Sequence, residues 1–225
     1  PTFRVATDEE TGETLIAGMG ELHLEIYVER IRREYKVEVE VGAPRVSYRE
    51  APTKTAEYNF KHKKQTGGSG QYAHIVGKLE CLPEDAPETF EFEETVVGGR
   101  IPKEYIPAVI DGIEEAIKGG VYAGYQVIDV KVKLVYGSFH EVDSNELAFK
   151  MAGIFALKEA FAKAGPILLE PIMKVEVTTP DEYQGDILGD INRRRGVIQG
   201  VDIKAGQTIV TAHVPLKEMF GYATA

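Results

Sequence analysis

Residues 61 to 74 read KHKKQTGGSGQYAH, and this stretch decides the fold of the middle of the chain. The flanking residues 55 to 62 and 72 to 80 have strand-like sequences, which predicts a hairpin with KKQTGGSGQ at its tip. Glycine accepts positive φ and lets another backbone approach closely, which a Cβ would prevent. The stretch therefore predicts a cationic hairpin tip with little side-chain bulk.

Composition limits the classes of function. The chain has 225 residues and a formal net charge of −10, which excludes a general nucleic-acid coat and restricts any RNA contact to a local surface. Cys81 is the single cysteine, so no internal disulfide can form, and without an apolar signal segment we expect a cytoplasmic protein. The apolar runs fall far short of the roughly 20 residues that span a bilayer. The chain begins without Met in strand-like sequence, so we expect a piece of a longer protein.

Periodicity predicts three α+β domains, at residues 1–46, 47–165 and 166–225. In the first domain, a strand at residues 13 to 17 precedes a helix from about 21 to 35, and KVEVEV (36–41) alternates like a half-buried strand. This order is half of a small α+β sandwich. The predicted inward residues are Leu24, Val28, Ile31 and Tyr35 on the helix and Val37, Val39 and Val41 on the strand.

The second domain adds two helices and a strand to the hairpin. The first helix lies in IPKEYIPAVIDGIEEAIKGG, with a glycine cap at Gly119 or Gly120, and YQVIDVKVKLVYG alternates as a strand. The second helix follows HEVDSNE, where Asp143 and Glu146 have capping-box spacing. The predicted inward residues are Ile106, Val109, Ile110, Ile113 and Ile117 on the first helix, and Leu147, Met151, Ile154 and Phe161 on the second.

The third domain has the order strand, helix, strand, strand, with a further helix starting at the end of the chain. A strand at IMKVEVTT leads into a helix with Thr179 as the predicted N-cap, Glu182 at its third position, and Gly196 at its end. The strands GVIQGVDI and QTIVTAHV follow, and the order fits a truncated ferredoxin-like unit. The predicted inward residues of the helix are Tyr183, Ile187 and Ile191.

Three motifs have alternative interpretations. No Gly-Lys pair has the GxxxxGK[ST] frame of a phosphate-binding loop. In SFHEVDSNE, acid–base or metal chemistry at His140 and Glu141 competes with helix capping, and capping is favoured because no second His or Cys stands nearby. In NRRRG (192–196), a phosphate clamp competes with cations that complement a helix C-terminus, and the second interpretation is favoured.

The hairpin tip is the strongest candidate for a binding surface. A solvated turn is the alternative, but lysines, a histidine, two glutamines, a tyrosine and a glycine run together favour RNA contact. The loops 65–72 and 137–144 lie at strand ends of the same predicted domain. We therefore expect two polar loops to form one probing end.

Long motifs carry a resemblance to bacterial elongation factor G. These are HKKQTGGSGQYA, YGSFHEVDSNELAFKMAG, LLEPIMKVEVTTPDEYQGDILGDINRRRG and VPLKEMFGYAT, together with GETLIAGMGELHLEIYVERIRREYKVEVEVG. The resemblance covers nearly the whole chain. It implies part of domain III, a domain IV similar to a domain of a small-subunit ribosomal protein, and most of domain V, with ferredoxin-like topology in domains III and V.

The resemblance also implies a function. The parent protein would be a ribosome-dependent GTPase that drives tRNA–mRNA translocation, with the domain IV tip entering the decoding region of the small subunit. This chain would have no catalytic residue, cofactor or metal, and GTP and Mg²⁺ would bind in an amino-terminal domain. Its partners would be rRNA of both subunits, ribosomal proteins, tRNA and mRNA, and the protein would be a cytoplasmic monomer.

The matching motifs assign RNA contact to the two tip loops. His140 stands at the position of the family's tip histidine, close to the mRNA–tRNA pairing, and residues 181 to 195 would face rRNA or a ribosomal protein. The implied RNA-binding residues are Lys63, Lys64, Gln65, Thr66, Gly67, Gly68, Ser69, Gly70, Gln71, Tyr72, Ser138, His140, Glu141 and Asp143.

One departure from the family pattern keeps alternatives open. Many members carry a basic residue in the glycine run, where this chain has Ser69. A paralogue specialised for ribosome recycling, or for translocation without ordinary GTP turnover, is therefore the nearest alternative. A free-standing RNA-binding module and an enzyme using His140 and Glu141 are the more distant ones.

Overall fold

The computed structural model describes residues 3–8, 11–64, 70–204 and 206–222. Mixed helices and strands make this an α+β protein, as the sequence predicts. In chain order the elements are β1 (Arg4–Thr7), β2 (Thr14–Ala17), α1 (Glu21–Tyr35), β3 (Arg49–Ala51), β4 (Ala56–Lys64), β5 (Gln71–Cys81), β6 (Phe90–Glu94), α2 (Ile106–Gly119), β7 (Val130–Ser138), α3 (Glu146–Lys163), β8 (Ile167–Leu169), β9 (Ile172–Pro180), α4 (Gln184–Arg193), β10 (Val197–Lys204), β11 (Gln207–Pro215) and α5 (Leu216–Met219). No helix within these ranges is long and apolar enough to cross a membrane.

The chain divides into two compact units. One consists of residues 48 to 169, and we call it the central unit; the other consists of residues 1 to 47 and 170 to 225, and we call it the terminal unit. Strand β8 pairs antiparallel with β3, so residues 167 to 169 belong to the central unit.

The central unit is a four-stranded sheet with the order β4-β5-β7-β6, packed on one face by α2 and α3. Strands β4, β5 and β7 are antiparallel neighbours, and β6 runs parallel to β7. Two glycines let the helices approach closely, because a Cβ on Gly112 would lie 2.1 Å from the Lys150 carbonyl oxygen, and one on Gly153 would lie 2.5 Å from that of Val109. The largest fully buried side chains of this core include Phe149, Phe161, Ile75, Leu79 and Leu134.

Strand β7 contains a β-bulge. Val76 of β5 faces Tyr136 and Gly77 faces Leu134, so Val135 is an extra residue in β7. Val130, Val132 and Leu134 point into the core, and continued alternation would send Tyr136 inward as well. Because the bulge shifts the phase by one residue, Gly137 is the buried residue instead.

A buried carboxylate holds the loop between α2 and β7. Glu50 on β3 is fully buried, and its two carboxylate oxygens accept hydrogen bonds of 2.6 to 3.0 Å from the backbone N–H groups of Val121, Tyr122, Ala123 and Tyr125. The backbone of Glu50 also bonds to Gln126 and Ile128. Burial tends to raise the pKa of Glu50, but the four N–H donors outweigh it and hold the pKa below its ordinary value.

The terminal unit contains two sheets. Strands β1 and β2 form an antiparallel hairpin that leads into α1. Strands β9, β10 and β11 form a second sheet with the order β10-β11-β9, and α4 packs against it around Ile191, Val210, Ala212 and Val214. Helix α4 follows β9, the hairpin of β10 and β11 follows α4, and β11 lies beside β9. This arrangement matches the ferredoxin-like order that the sequence predicts.

Helix α4 ends with an arginine in a conformation that usually favours glycine. Arg195 has φ 58°, and the N–H groups of Arg195 and Gly196 donate to the carbonyls of Asn192 and Ile191. This is a Schellman-type end with a side chain at the left-handed position. Arg195 forms two 3.0 Å bonds with the Glu170 carboxylate and one of 3.2 Å with Glu218, and these ion pairs offset the local strain.

Several local predictions are wrong. Residues 36 to 41 form no strand, and Val37 and Val41 are exposed. Alternation makes the segment suitable for a strand, but a strand needs a neighbour, and within the described residues neither β1 nor β2 pairs with this segment. A carbonyl of the segment, that of Val39, accepts a hydrogen bond from Arg32 instead.

Both predicted capping boxes are also wrong. Asn145, not Asp143, caps α3 by accepting from the Ala148 N–H, and Thr179 is buried within β9 opposite Thr208. Leu147 is exposed because the buried stripe of α3 follows small residues such as Ala148 and Ala152, which pack closely against α2. Tyr183 is exposed because it lies in a 3-10 turn before α4.

Replacing the Glu50 carboxylate is expected to destabilise the central unit. Glu50→Gln places an amide NH₂ against backbone donors and leaves buried N–H groups without acceptors, which costs about 3 kcal/mol. Urea unfolding measures the loss, and Glu57→Gln is the matched control because Glu57 is an exposed residue of β4. An equal and small effect of both changes would contradict this account of Glu50.

The contribution of Glu50 is also expected to depend on pH. Its pKa is lower in the folded state, so its stabilisation is present above the unfolded pKa of about 4.3 and is lost as pH falls through the folded pKa. The difference in unfolding free energy between wild type and Glu50→Gln should therefore shrink below about pH 4. Urea unfolding from pH 7 to pH 3 measures this change.

Candidate functional site: two joined loops at one end of the central unit

The hairpin of β4 and β5 is paired up to its tip. Lys63 lies opposite Tyr72 and Lys64 opposite Gln71, and both lysines are exposed. Gln71 Oε1 lies 2.9 Å from His62 Nε2, which orients the Gln71 amide at the start of β5. The predicted site residues Gln65, Thr66, Gly67, Gly68 and Ser69 lie outside the described residues.

The loop after β7 is bonded directly to the end of this hairpin. The Tyr72 N–H donates to the Asp143 carbonyl at 2.8 Å, and the Gly70 N–H donates to Asp143 Oδ1 at 3.1 Å. Ser144 Oγ donates to the Tyr72 carbonyl at 2.6 Å. A Cβ at residue 70 would lie 3.1 Å from the Asp143 carboxyl, so glycine suits this approach. The structure thus brings the two predicted loops together through Asp143 and Ser144.

His140 is held by its own loop and faces solvent. Its side chain is 57% exposed, and its backbone N–H donates to Ser144 Oγ at 2.9 Å. The N–H groups of Val142 and Asp143 point at His140 Nδ1 from 3.4 and 3.3 Å. Asp143 Oδ2 also lies 3.5 Å from Nδ1, so Nδ1 faces partners within its own loop; where Nδ1 accepts the two N–H bonds, a neutral ring carries its hydrogen on Nε2. His140 therefore presents an N–H donor outward.

A chain of polar side chains supports the loops from the sheet. Tyr72 OH lies 2.9 Å from Ser138 Oγ, Ser138 Oγ lies 3.1 Å from His74 Nδ1, and His74 Nε2 lies 2.8 Å from Asn59 Oδ1. His74 is buried, and this burial, with a smaller effect of Lys61, lowers the pKa of His74. A neutral His74 that bridges β4 and β7 fixes the rings around the site.

The remaining predicted site residues separate into two groups. Gly70, Gln71, Tyr72, Ser138, His140 and Asp143 lie in or beside the joined loops, whereas Glu141 is exposed and makes no hydrogen bond or ion pair within the described part of the chain. Asn59, His74 and Ser144 were missed by sequence reasoning. Ser144 directly follows Asp143, and that polar pair was the available signal; Asn59 and His74 gave none.

The two other motifs have structural explanations. Among the described residues, no group of three His, Cys, Asp or Glu side chains could hold a metal ion. In NRRRG, Arg194 bonds to Asp190 and to the Glu218 carbonyl, and Arg195 bonds to Glu170 and Glu218. These bonds engage both arginines within the unit, which argues against a phosphate clamp, while Arg193 is exposed at the end of α4.

Comparisons with known proteins match the whole chain. The family descriptions "Elongation Factor G, domain III", "Elongation factor G, domain IV" and "Elongation factor G C-terminus" match residues 1–43, 44–165 and 167–225. An elongation factor G of Rhodopirellula baltica is 59% identical over 224 residues, covering 100% of this chain and 32% of that protein. A crystal structure from Thermus thermophilus matches with a TM-score of 0.87 and 44% identity, over 99% of this chain and 33% of that one. The chain thus spans about a third of the length of these relatives.

Removing the Asp143 carboxylate is expected to loosen the joint between the loops. Asp143→Ala deletes the acceptor of the Gly70 N–H but keeps the backbone bond to Tyr72, so amide exchange at residue 70 should rise about fivefold to tenfold and rise less at residue 72. Hydrogen exchange followed by NMR measures both rates. Glu141→Ala is the matched control in the same loop. An equal effect of both variants would contradict the role of the Asp143 carboxylate in holding Gly70.

Proposed function

Because the chain belongs to the elongation factor G family, we propose that it is the ribosome-engaging part of a translation elongation factor that promotes tRNA–mRNA translocation. In this proposal the joined loops of the central unit enter the decoding region of the small subunit. Their partners are tRNA, mRNA and rRNA, and the terminal unit contacts rRNA or ribosomal proteins.

The observation that carries the proposal is the joint between the two loops. Asp143 and Ser144 tie the end of the hairpin to the loop of His140 through bonds of 2.6 to 3.1 Å. A probe that displaces RNA must keep its shape under load, and two cross-bonded loops lose less conformational entropy on binding than two free loops would. The joint therefore supports a mechanical role for this end of the unit.

The chemistry of the end suits RNA. Lys63 and Lys64 offer charge to phosphates, and Gln71 and the Nε2–H of His140 offer hydrogen bonds to bases or ribose. These donors would replace hydrogen bonds that are lost when the codon–anticodon pair leaves its site. The chain's net charge of −10 would limit adhesion of RNA elsewhere.

The proposal places the chemical step outside this chain. GTP and Mg²⁺ would bind in a separate GTPase domain of the full-length factor, and this chain would need no cofactor of its own. The full-length factor would act as a cytoplasmic monomer. Ser69 in the glycine run keeps one alternative open, a paralogue specialised for recycling or for translocation without ordinary GTP turnover.

Single-turnover translocation by the full-length factor tests the proposal. His140→Ala removes the outward N–H donor and is expected to slow tRNA–mRNA movement about tenfold, or about 1.4 kcal/mol at the transition state, while GTP hydrolysis continues. His213→Ala is the matched control, because it removes another exposed histidine, from β11 of the terminal unit.

The two readouts separate the alternatives. Unchanged movement with His140→Ala would contradict the role of the loops. A wild-type factor that hydrolyses GTP on ribosomes and moves no tRNA would contradict translocation and favour the recycling paralogue.

A further inference from the structure

The solvent-facing side of the central sheet is divided into two halves by charge. Helices α2 and α3 cover the opposite side of this sheet. In the half far from the loops, each lysine is paired with glutamates: Lys78 with Glu57, Lys131 with Glu91 and Glu93, and Lys133 with Glu80 and Glu93, at 3.0 to 3.6 Å. This half is therefore neutralised by cross-strand ion pairs.

The half near the loops has cations without carboxylate partners. Residues two apart on a strand share a face, so Lys61 and Lys63 lie on the same face of β4 as Glu57. This is the solvent-facing side on which Glu57 pairs with Lys78. Arg100 lies beside β7, with its guanidinium 5.0 Å from the centre of the Tyr136 ring and Nη1 3.2 Å from Tyr136 OH. Within the described ranges, none of these three cations forms an ion pair.

Four rings connect this half of the face to the loops. The His74 ring centre lies 5.8 Å from that of Tyr136 in an edge arrangement, and the Tyr72 ring centre lies 6.4 Å from that of His140. The Ser138 hydroxyl links Tyr72 to His74. We call these four residues the aromatic stripe. It runs from the middle of the sheet to the joined loops.

The bulge at Val135 places Tyr136 in the stripe. Regular alternation after Leu134 would direct Tyr136 into the core, but Tyr136 is 38% exposed and contacts His74 and Arg100 on the outer side. Bulges commonly re-aim a side chain at a functional site. An exposed tyrosine ring can stack with a nucleobase, and a neighbouring arginine can add a cation–π contact.

We propose that the outer sheet face defined by Lys61, Lys63, Tyr72, Arg100 and Tyr136 binds a single-stranded RNA segment. Bases stack on the tyrosines, and the cations contact the phosphates. The inference extends the proposed function from the loops to the sheet and rests on it for RNA as the class of partner. A single strand is required because the bases of a duplex are already stacked and cannot reach the rings.

Charge complementarity selects this occupant over a protein. Among the residues that the structure describes, the three cations of one half form no ion pair and the lysines of the other half are all paired with glutamates, although the chain as a whole carries a net charge of −10. A polyanion gains from this asymmetry through release of counterions.

Fluorescence anisotropy with the 225-residue chain and a labelled ten-nucleotide oligouridylate tests the inference between 50 and 200 mM KCl. Tyr136→Ala should raise Kd about fivefold or more, because one stacked base is lost. The double variant Lys61→Gln, Lys63→Gln should lower the slope of log Kd against log salt by about 1.4, or about 0.7 for each lost phosphate contact.

Matched controls come from the same molecule. Tyr122→Ala removes a tyrosine that is 62% exposed outside the sheet face, and should leave Kd unchanged. Lys78→Gln removes an ion-paired lysine of the far half and should change the salt slope by less than half as much as the double variant. If Tyr136→Ala does not fold, Tyr136→Leu keeps an apolar side chain but no aromatic face, and the same increase in Kd is expected.

Three outcomes would overturn the inference: no binding by the wild-type chain, equal effects of test and control variants, or tighter binding of an RNA duplex that is insensitive to Tyr136→Leu. The result is separable from the translocation test. If the sheet variants bind oligouridylate like wild type while His140→Ala slows translocation, the sheet inference fails and the proposed function stands. The reverse pattern would support the sheet site and contradict the function proposed for the loops.

Discussion

Strand β5 is hydrogen-bonded on both sides along most of its length, and the placement of both loops follows from this pairing. Its antiparallel partners β4 and β7 bring Lys64 to Gln71 and Ser138 to His74, at the same end of the sheet. The pairing is tight in the middle of the strand, where a Cβ on Gly77 would lie 1.8 Å from the Lys133 carbonyl oxygen. A slip of one residue would turn every β5 side chain to the opposite face. The register of this one strand therefore determines which polar groups meet at the joined loops and which rings line the outer face.

The central unit combines rigid and open surfaces. Its inner sheet face is closed by two helices packed at glycine contacts, and the loop between α2 and β7 is closed by the Glu50 carboxylate. The outer face has no such cover within its described residues, yet half of it is neutralised by glutamates. Cations without a carboxylate partner in the described residues, and the exposed rings of Tyr136 and His140, are thereby concentrated next to the joined loops. An acidic protein can in this way keep a small RNA-directed surface, because repulsion elsewhere limits unspecific contact.

Periodic features of the fold were predictable, and contacts between distant residues were not. The bounds of α1 follow from apolar residues at helical spacing, although Tyr35, predicted to face inward, is 72% exposed at the end of the helix. The β4–β5 hairpin follows from its glycine run. The predicted N-cap of α3 was wrong because Asp143 and Asn145 both have suitable side chains. Only the folded loop shows that Asp143 accepts a hydrogen bond from Gly70 while Asn145 caps the helix. The convergence of two loops was predictable from strand ends. The roles of Asn59, His74, Arg100 and Tyr136 were not, because these residues meet across separate strands and, in the case of Tyr136, the alternating pattern points to the wrong face.

The extra residue in β7 can be lost without changing which residues lie on the outer face. Val135 is 38% exposed, so most substitutions there would disturb little packing. Deleting it would join Leu134 to Tyr136 and restore regular alternation, with Tyr136 still on the outer face and Gly137 still buried. For a protein engineer, or for an evolving gene, this position therefore tolerates both a substitution and the loss of the residue. A frame-preserving loss of one codon at Val135 would remove the bulge and leave the Tyr136 ring on the outer face.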